Sequence, residues 1–294
     1  MGDTASYTKR LVNDYELTPN KSLGQVFLIS DGILDRIVEA IAPESSDFII
    51  EIGAGLGGLT RRLAPECELI AFEIDKNLCG ILNSEIEGAE ILNRDFLKVD
   101  LGYFVEAWLA GEDKKIKVCG NLPFGISSQI LIRMATTDTP YLHSHFMVQK
   151  ELGEKVHCKP GEGDFGRIST MVQTFCTVER LFNVPAGAFY PIPNVDSTFL
   201  KLQHRDEHLV SHNDLPAYGA FVKLAFAQRR KSLFNNIRSA LELETKLELD
   251  GVLADILAIG ASRNTRSEEI HPDDMARLFL RLMHRVLPPE EDLA

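Results

Sequence analysis

The sequence predicts an α/β protein: a parallel sheet with helices on both faces, followed by a smaller, all-helical C-terminal domain. Three observations carry this. Short apolar runs alternate with helical segments from Phe48 to Lys150, the pattern of strand–helix–strand units. The first of these runs opens directly into a glycine-rich turn and a helix. Beyond His204 the strand signals vanish and helical periodicity takes over. The boundary is placed at 205/206, giving domains 1–205 and 206–294.

Residues 1–30 read as irregular and polar. A helix follows, with Ile33, Leu34, Ile37, Val38 and Ile41 on one face and Asp31 as its cap. FIIEIG (48–53) is a buried strand, and the turn GAGLGG after it opens a helix. ELIAFEID (68–75) is the second strand, AEILNRDFL (89–97) the third, KIKVCGNLPF (115–124) the fourth and HSHFMVQK (143–150) the fifth, each of the first four leading into a helical segment. After a loop at 159–166 and the helix RISTMVQTFC, Val178–Val184 and Val195–Gln203 are strands that extend the sheet. The segment PAGAFYPIPN between them is too rich in proline for regular structure. The tail carries helices in the stretches 215–244 and 273–287.

Composition is that of a globular chain with a real core: 45% hydrophobic and 25% charged residues. No apolar run approaches the ~18 residues of a membrane span. The N-terminus lacks the apolar core of a secretion signal. Five cysteines at wide spacings, with no C-x-x-C, read as reduced thiols and give no zinc site. These features place the chain in the cytoplasm, without membrane or metal. A net charge of −12 disfavours nonspecific attraction to nucleic acid. Leu215–Leu241 is the exception: it has no acidic residue but holds Lys223, Arg229, Arg230, Lys231 and Arg238.

Gly53, Gly55 and Gly58 stand at G-x-G-x-x-G spacing directly after a strand, so the backbone turns tightly and approaches a ligand closely. Glu73 follows near the end of the next strand, where a carboxylate accepts both ribose hydroxyl hydrogens. NAD and S-adenosylmethionine both fit this frame. Two features favour the latter: Glu51 just before the glycine turn, and a third acid, Asp95, after the third strand, placed for an adenine amino group.

Asn121-Leu122-Pro123-Phe124 ends the fourth strand. An exocyclic amine on an aromatic ring is a poor nucleophile, because its lone pair is delocalised. Two carbonyls aimed at its N–H bonds make the nitrogen pyramidal and free that pair. The Asn121 side chain and the Leu122 backbone supply them; Pro123 fixes φ and brings no competing N–H. Phe124 stacks on the ring, worth ~1–3 kcal/mol per base.

The ordered segments GQVFL, EIGAGLGGLT, FEID, GNLPFGIS, FMVQKE, FGRISTMVQ, PAGAFYPIPNVDS and FAQRRKSLFNNI resemble the ribosomal RNA adenine N6-dimethyltransferases, over about Lys21 to Arg281. The resemblance implies a Rossmann-like S-adenosylmethionine-dependent methyltransferase sheet with an N-terminal cofactor-covering segment and a helical rRNA-binding domain. It implies that Leu28, Gly53, Glu73, Asp95 and Asn121 contact the cofactor, that Phe124 and Phe189 sandwich a flipped adenine, and that Arg229, Arg230 and Lys231 touch rRNA phosphates. The implied partner is small-subunit rRNA within a pre-assembled subunit; the chain itself is expected to be a monomer, although no residue pattern speaks to its oligomeric state. Three positions depart from the family pattern: Val26 replaces a cofactor-holding Asn, so any contact there is through its backbone; Phe124 replaces Tyr; Gly125 replaces Asn. The departure at Val26 leaves one alternative, a ribosome-assembly RNA-binding factor whose methyltransferase activity is weak or dispensable.

Overall fold

The computed structural model describes residues 3–20, 23–109, 112, 114–139, 141, 143–241 and 245–286. The chain opens on α1 (Thr4–Asp14), a helix in the region expected to be irregular. Asp3 caps it, accepting from the Ala5 N–H at 3.0 Å. Its buried face is Thr4, Thr8 and Leu11, so the helical spacing is present but two of the three buried side chains are polar. β1 (Phe27–Leu28) and α2 (Asp31–Ile41) follow, and α2 buries Leu34, Ile37 and Ile41 as the spacing predicts. Asp31 is not the cap. Ser30 holds that position, while the Asp31 carboxylate accepts from the Thr4 N–H at 3.2 Å and pairs with Arg62 at 2.5 Å. The Thr4 hydroxyl, which also donates to this carboxylate, and after it Arg62 and the Thr4 N–H hold the pKa of Asp31 down at about 2, against the opposing effect of burial. These bonds also seat α1 against α2.

Next come β2 (Asp47–Ile52), α3 (Thr60–Leu63), β3 (Glu68–Glu73), α4 (Lys76–Glu85), β4 (Ala89–Asn93), α5 (Leu101–Leu109), β5 (Lys115–Asn121), α6 (Ser127–Ala135) and β6 (His143–Gln149). After α7 (Lys150–His157) and α8 (Arg167–Phe175) lie β7 (Cys176–Val184), β8 (Phe189–Tyr190) and β9 (Ser197–His204). The main sheet has seven strands in the order β4-β3-β2-β5-β6-β9-β7. β4, β3, β2, β5 and β6 are parallel neighbours, and β9 returns antiparallel to β6. Every residue of β2 is buried, as a central strand covered on both faces requires. The chain builds outward from β2 through β3 to β4, then crosses to β5 on the other side of β2. That reversal opens a crevice beyond the carboxyl ends of β2 and β5, the place where ligands bind in such sheets.

β8 lies inside the proline-rich segment expected to lack regular structure. It pairs antiparallel with β1, Phe27 opposite Tyr190 and Leu28 opposite Phe189.

The chain forms two compact units: Met1–Gly153 with Val178–His204, and Glu154–Thr177 with Arg205–Ala294. Residues 154–177 thus cluster with the C-terminal helices, although they precede the boundary expected at 205/206. In that second unit α8 packs on α9 (Leu215–Ala225) and α12 (Pro272–Val286), with α10 (Leu233–Ala240) and α11 (Lys246–Ala258) completing it. Fully buried Tyr218 ties them, its hydroxyl 2.8 Å from that of Thr174 and its ring edge-on to Phe175 and Phe279. The Arg205 guanidinium grips Asp273 with bonds of 2.5 and 3.0 Å.

The first unit buries a polar cluster at the far end of the sheet from the crevice. Lys117 donates to Asp47 and to the Ala42 carbonyl at the end of α2, both at 2.6 Å. Beside it stand His143 and His145 on β6, rings 4.7 Å apart, with His145 stacked on Phe199. His145 is 1% exposed and neither ring nitrogen has a partner among the described residues. Burial, then the nearby His143, Lys201 and Lys117, push its pKa down to about 3. Burial and the same two lysines bring that of His143 to about 4, against an opposing pull from Asp47. Below the unfolded value of about 6.5 the unfolded chain takes protons that the fold refuses, so stability is full above that pH and falls as pH drops. One such site gives roughly 2 kcal/mol of loss between pH 7.5 and 5. We expect His145→Phe to reduce that loss by a comparable amount in urea unfolding at the two pH values. Identical pH dependence in variant and parent would exclude His145 as its source.

Candidate active site

The crevice is walled by the turn after β2, the ends of β3 and β5, and the segment 23–28 that crosses above them. Two of the turn's glycines let the segment above it approach closely. Gly55 has φ +59°, and a Cβ there would lie 3.0 Å from the Phe27 ring. At Gly58 a Cβ would meet the Leu28 carbonyl oxygen at 2.9 Å. Glycine therefore lets β1 lie directly on the turn, and Leu28 lines the crevice as expected. Gly53 sits at its floor, its N–H bonded to the Phe72 carbonyl at 2.8 Å.

Glu73 ends β3, 6% exposed. One oxygen accepts from the Gly55 N–H and the other from the Asp75 N–H, each at 2.9 Å, and the Ile74 N–H also bonds the group, which fixes the carboxylate. Burial raises its pKa despite those bonds. Asp95 lines the same crevice beyond β4. It caps the turn Phe96–Lys98 through the Leu97 N–H at 3.1 Å, and its second oxygen is 3.5 Å from the exposed Lys98 ammonium.

At the end of β5, the Asn121 amide nitrogen donates to the Val26 backbone carbonyl at 2.9 Å. Val26 therefore contributes through its backbone, the only route its side chain allows, while the side chain packs on the core. The bond turns the Asn121 side-chain oxygen the other way, where it is buried and has no partner among the described residues. Leu122 is anchored by its N–H to the Met147 carbonyl at 3.0 Å. Its own carbonyl receives only a long 3.5 Å contact from the Ser127 hydroxyl, which bonds that of Pro123 at 2.7 Å. Pro123 and Phe124 are half-buried, and Gly125 is exposed.

Phe189 does not join this group. It is 1% exposed and packed among Leu28, Leu34, Met147 and Phe199, so it offers no face to a base. The ladder explains this: opposite Leu28, Phe189 points to the core with its partner, while Tyr190 remains 41% exposed. In the helical unit Arg229, Arg230 and Lys231 are all exposed. The Arg229 guanidinium is engaged with the Gly163 carbonyl and lies 3.9 Å from Glu268.

The structure adds Glu51, Thr8 and Gln25 to the crevice lining. Glu51 was legible as the acid before the glycine turn. Gln25, whose amide bonds Asp75 at 3.0 Å, and Thr8 carried no signal beyond polarity.

The ribosomal RNA adenine dimethylase family profile matches residues 17–257. The ribosomal RNA small subunit methyltransferases A of Staphylococcus haemolyticus (strain JCSC1435) and Staphylococcus aureus (strain JH9) are each 35% identical over 280 residues, covering 94% of either chain. A dimethyladenosine transferase from Plasmodium falciparum shares the fold, with a TM-score of 0.70 over 89% of this chain and 98% of its own at 22% identity. The 23S rRNA methyltransferase ErmE gives a TM-score of 0.62 at 25% identity, over 87% of this chain and 99% of its own. The chain is a member of the ribosomal RNA adenine dimethylase family.

Proposed function

We propose that this chain transfers methyl groups from S-adenosylmethionine to the N6 amines of two adjacent adenosines in a small-subunit rRNA hairpin, twice each. It does so as a cytoplasmic monomer acting on a pre-assembled subunit. The observation that carries this reading is the unpartnered Asn121 oxygen at the end of β5, held in place by Val26 beside the glycine turn.

The crevice residues fit the cofactor. Glu73 presents its carboxylate to a ribose, Asp95 to an adenine amino group, and Gly53, Gly55 and Leu28 bring backbone to its edge. Bound there, S-adenosylmethionine supplies an electrophilic methyl group on a sulfonium. Asn121 and the Leu122 carbonyl accept the two N–H bonds of the adenine amine and direct its lone pair toward that methyl group. Alignment for in-line attack is the main contribution. No strong base is required, because the amine proton becomes acidic once the nitrogen is methylated. Phe124 stacks on the extruded base, whose unstacking costs a few kcal/mol in a paired region. Exposed Tyr190 and Ile192 offer apolar surface to flanking nucleotides. Arg230 and Lys231 in the helical unit contact phosphates, so local patches rather than net charge draw the RNA. Val26 retains a role through its carbonyl, which removes the support for a factor with dispensable activity.

Two outcomes are expected. Asn121→Ala abolishes N6,N6-dimethyladenosine formation on undermethylated small subunits, scored by nucleoside analysis, while subunit binding persists; undiminished product in the variant would refute the role. Arg230→Ala with Lys231→Ala weakens subunit binding and lowers the salt slope of log K by about one per phosphate contact removed, in filter binding at several salt concentrations.

A further inference from the structure

We propose that the Ser127 hydroxyl is a movable donor that serves the second methyl transfer to each adenine. It stays on the Pro123 carbonyl while the amine carries two N–H bonds, and moves to the Leu122 carbonyl once one of them has become a methyl group. This rests on the methyl-transfer reading above and adds to it a positioning residue and the step it serves.

Dimethylation sets a problem that a single methylation does not. The unmodified amine has two N–H bonds, and the two acceptors, Asn121 Oδ1 and the Leu122 carbonyl, take one each. Each transfer forms an N–C bond, breaks the S–C bond of the donor and releases one proton from nitrogen to solvent. After the first, one N–H bond and one methyl group stand where two N–H bonds stood. For the lone pair to face the donor again, the methyl group must lie against one of the acceptors, which then has no hydrogen to accept. A buried acceptor in that state is costly unless another donor reaches it.

The two acceptors differ in that respect. The Asn121 oxygen is buried without a partner among the described residues, and the bond from its amide nitrogen to the Val26 carbonyl holds it in place. Only the amine can supply it. The Leu122 carbonyl has Ser127 beside it. Ser127 begins α6 and is 1% exposed; its hydroxyl bonds the Pro123 carbonyl at 2.7 Å and stands 3.5 Å from that of Leu122. A hydroxyl has one hydrogen on a rotor, so it serves one carbonyl fully at a time. Leaving Pro123 costs little, because the Ile126 N–H also bonds that carbonyl, at 3.2 Å. Reaching Leu122 needs a closure of about 0.7 Å to the ordinary O–H···O distance. The remaining N–H bond therefore stays on Asn121, the methyl group lies on the Leu122 side, and Ser127 supplies the hydrogen that this carbonyl has lost.

The test follows both products on undermethylated small subunits with a labelled methyl donor, by nucleoside analysis over time. The parent passes through N6-methyladenosine to N6,N6-dimethyladenosine. Ser127→Ala accumulates N6-methyladenosine, its second transfer slowed about tenfold relative to its first by the loss of one hydrogen bond to a buried carbonyl. Ser127→Thr, which keeps the hydroxyl, restores the parental ratio. A serine that merely braces the turn would slow both transfers in proportion, so an unchanged ratio in Ser127→Ala would overturn this inference and leave the methyl-transfer reading intact. No product of either kind from the parent would overturn both.

A second readout needs no turnover. With S-adenosylhomocysteine present, the parent binds subunits reconstituted with N6-methyladenosine at the target positions within about twofold of unmodified ones, in filter binding, whereas Ser127→Ala disfavours them by about tenfold. Tenfold discrimination by the parent itself would show that nothing replaces the lost hydrogen, and the role assigned to Ser127 would fall.

Discussion

The site depends on one hydrogen bond, from the Asn121 amide nitrogen to the Val26 carbonyl. A primary amide has a donor end and an acceptor end, and a carbonyl neighbour accepts only from the first. Fixing the nitrogen fixes the oxygen, which is left buried without a donor. Such an orphan costs on the order of 1–3 kcal/mol, offset when a donor arrives. A backbone atom performs this orientation, so the identity of side chain 26 is freed for packing against the core.

The bond forms because two distant segments are brought together. The reversal of strand order at β2 and β5 opens the crevice, and glycine at positions 55 and 58 lets β1 settle into contact with the turn. Glu73 then ties the turn to β3 by accepting from Gly55. The same carboxylate that fixes the loop also lines the crevice, so the loop's shape and the site's polarity share one residue.

The sheet was legible because its central strands are short, apolar and buried on both faces, which leaves an unambiguous pattern. Gly53, Glu73 and Asn121 were legible because a strand end followed by a turn places a side chain at a known edge. What escaped was decided by long-range packing. The first helix buries two threonines, so its inner face looks like surface. Phe189 among prolines reads the same whether it faces in or out, and only its pairing with Leu28 turns it inward. Residues 154–177 hold the end of α7, a loop and α8, and their membership of the second unit follows from α8 packing on α9 and α12. The orientation of the Asn121 amide needed knowledge of a carbonyl nearly a hundred residues away.

The β1–β8 ladder pairs two residues on each side, and the Ile29 N–H extends it by one bond to the Ala188 carbonyl at 2.9 Å. Hydrogen bonds across so short a ribbon are few, so what holds it is the burial of Phe27, Leu28 and Phe189 beneath it. Val26 immediately precedes it, so parting this ribbon also releases the amide at Asn121. Amide hydrogen exchange at Ile29 therefore reports how often this ribbon parts and the Asn121 amide is released.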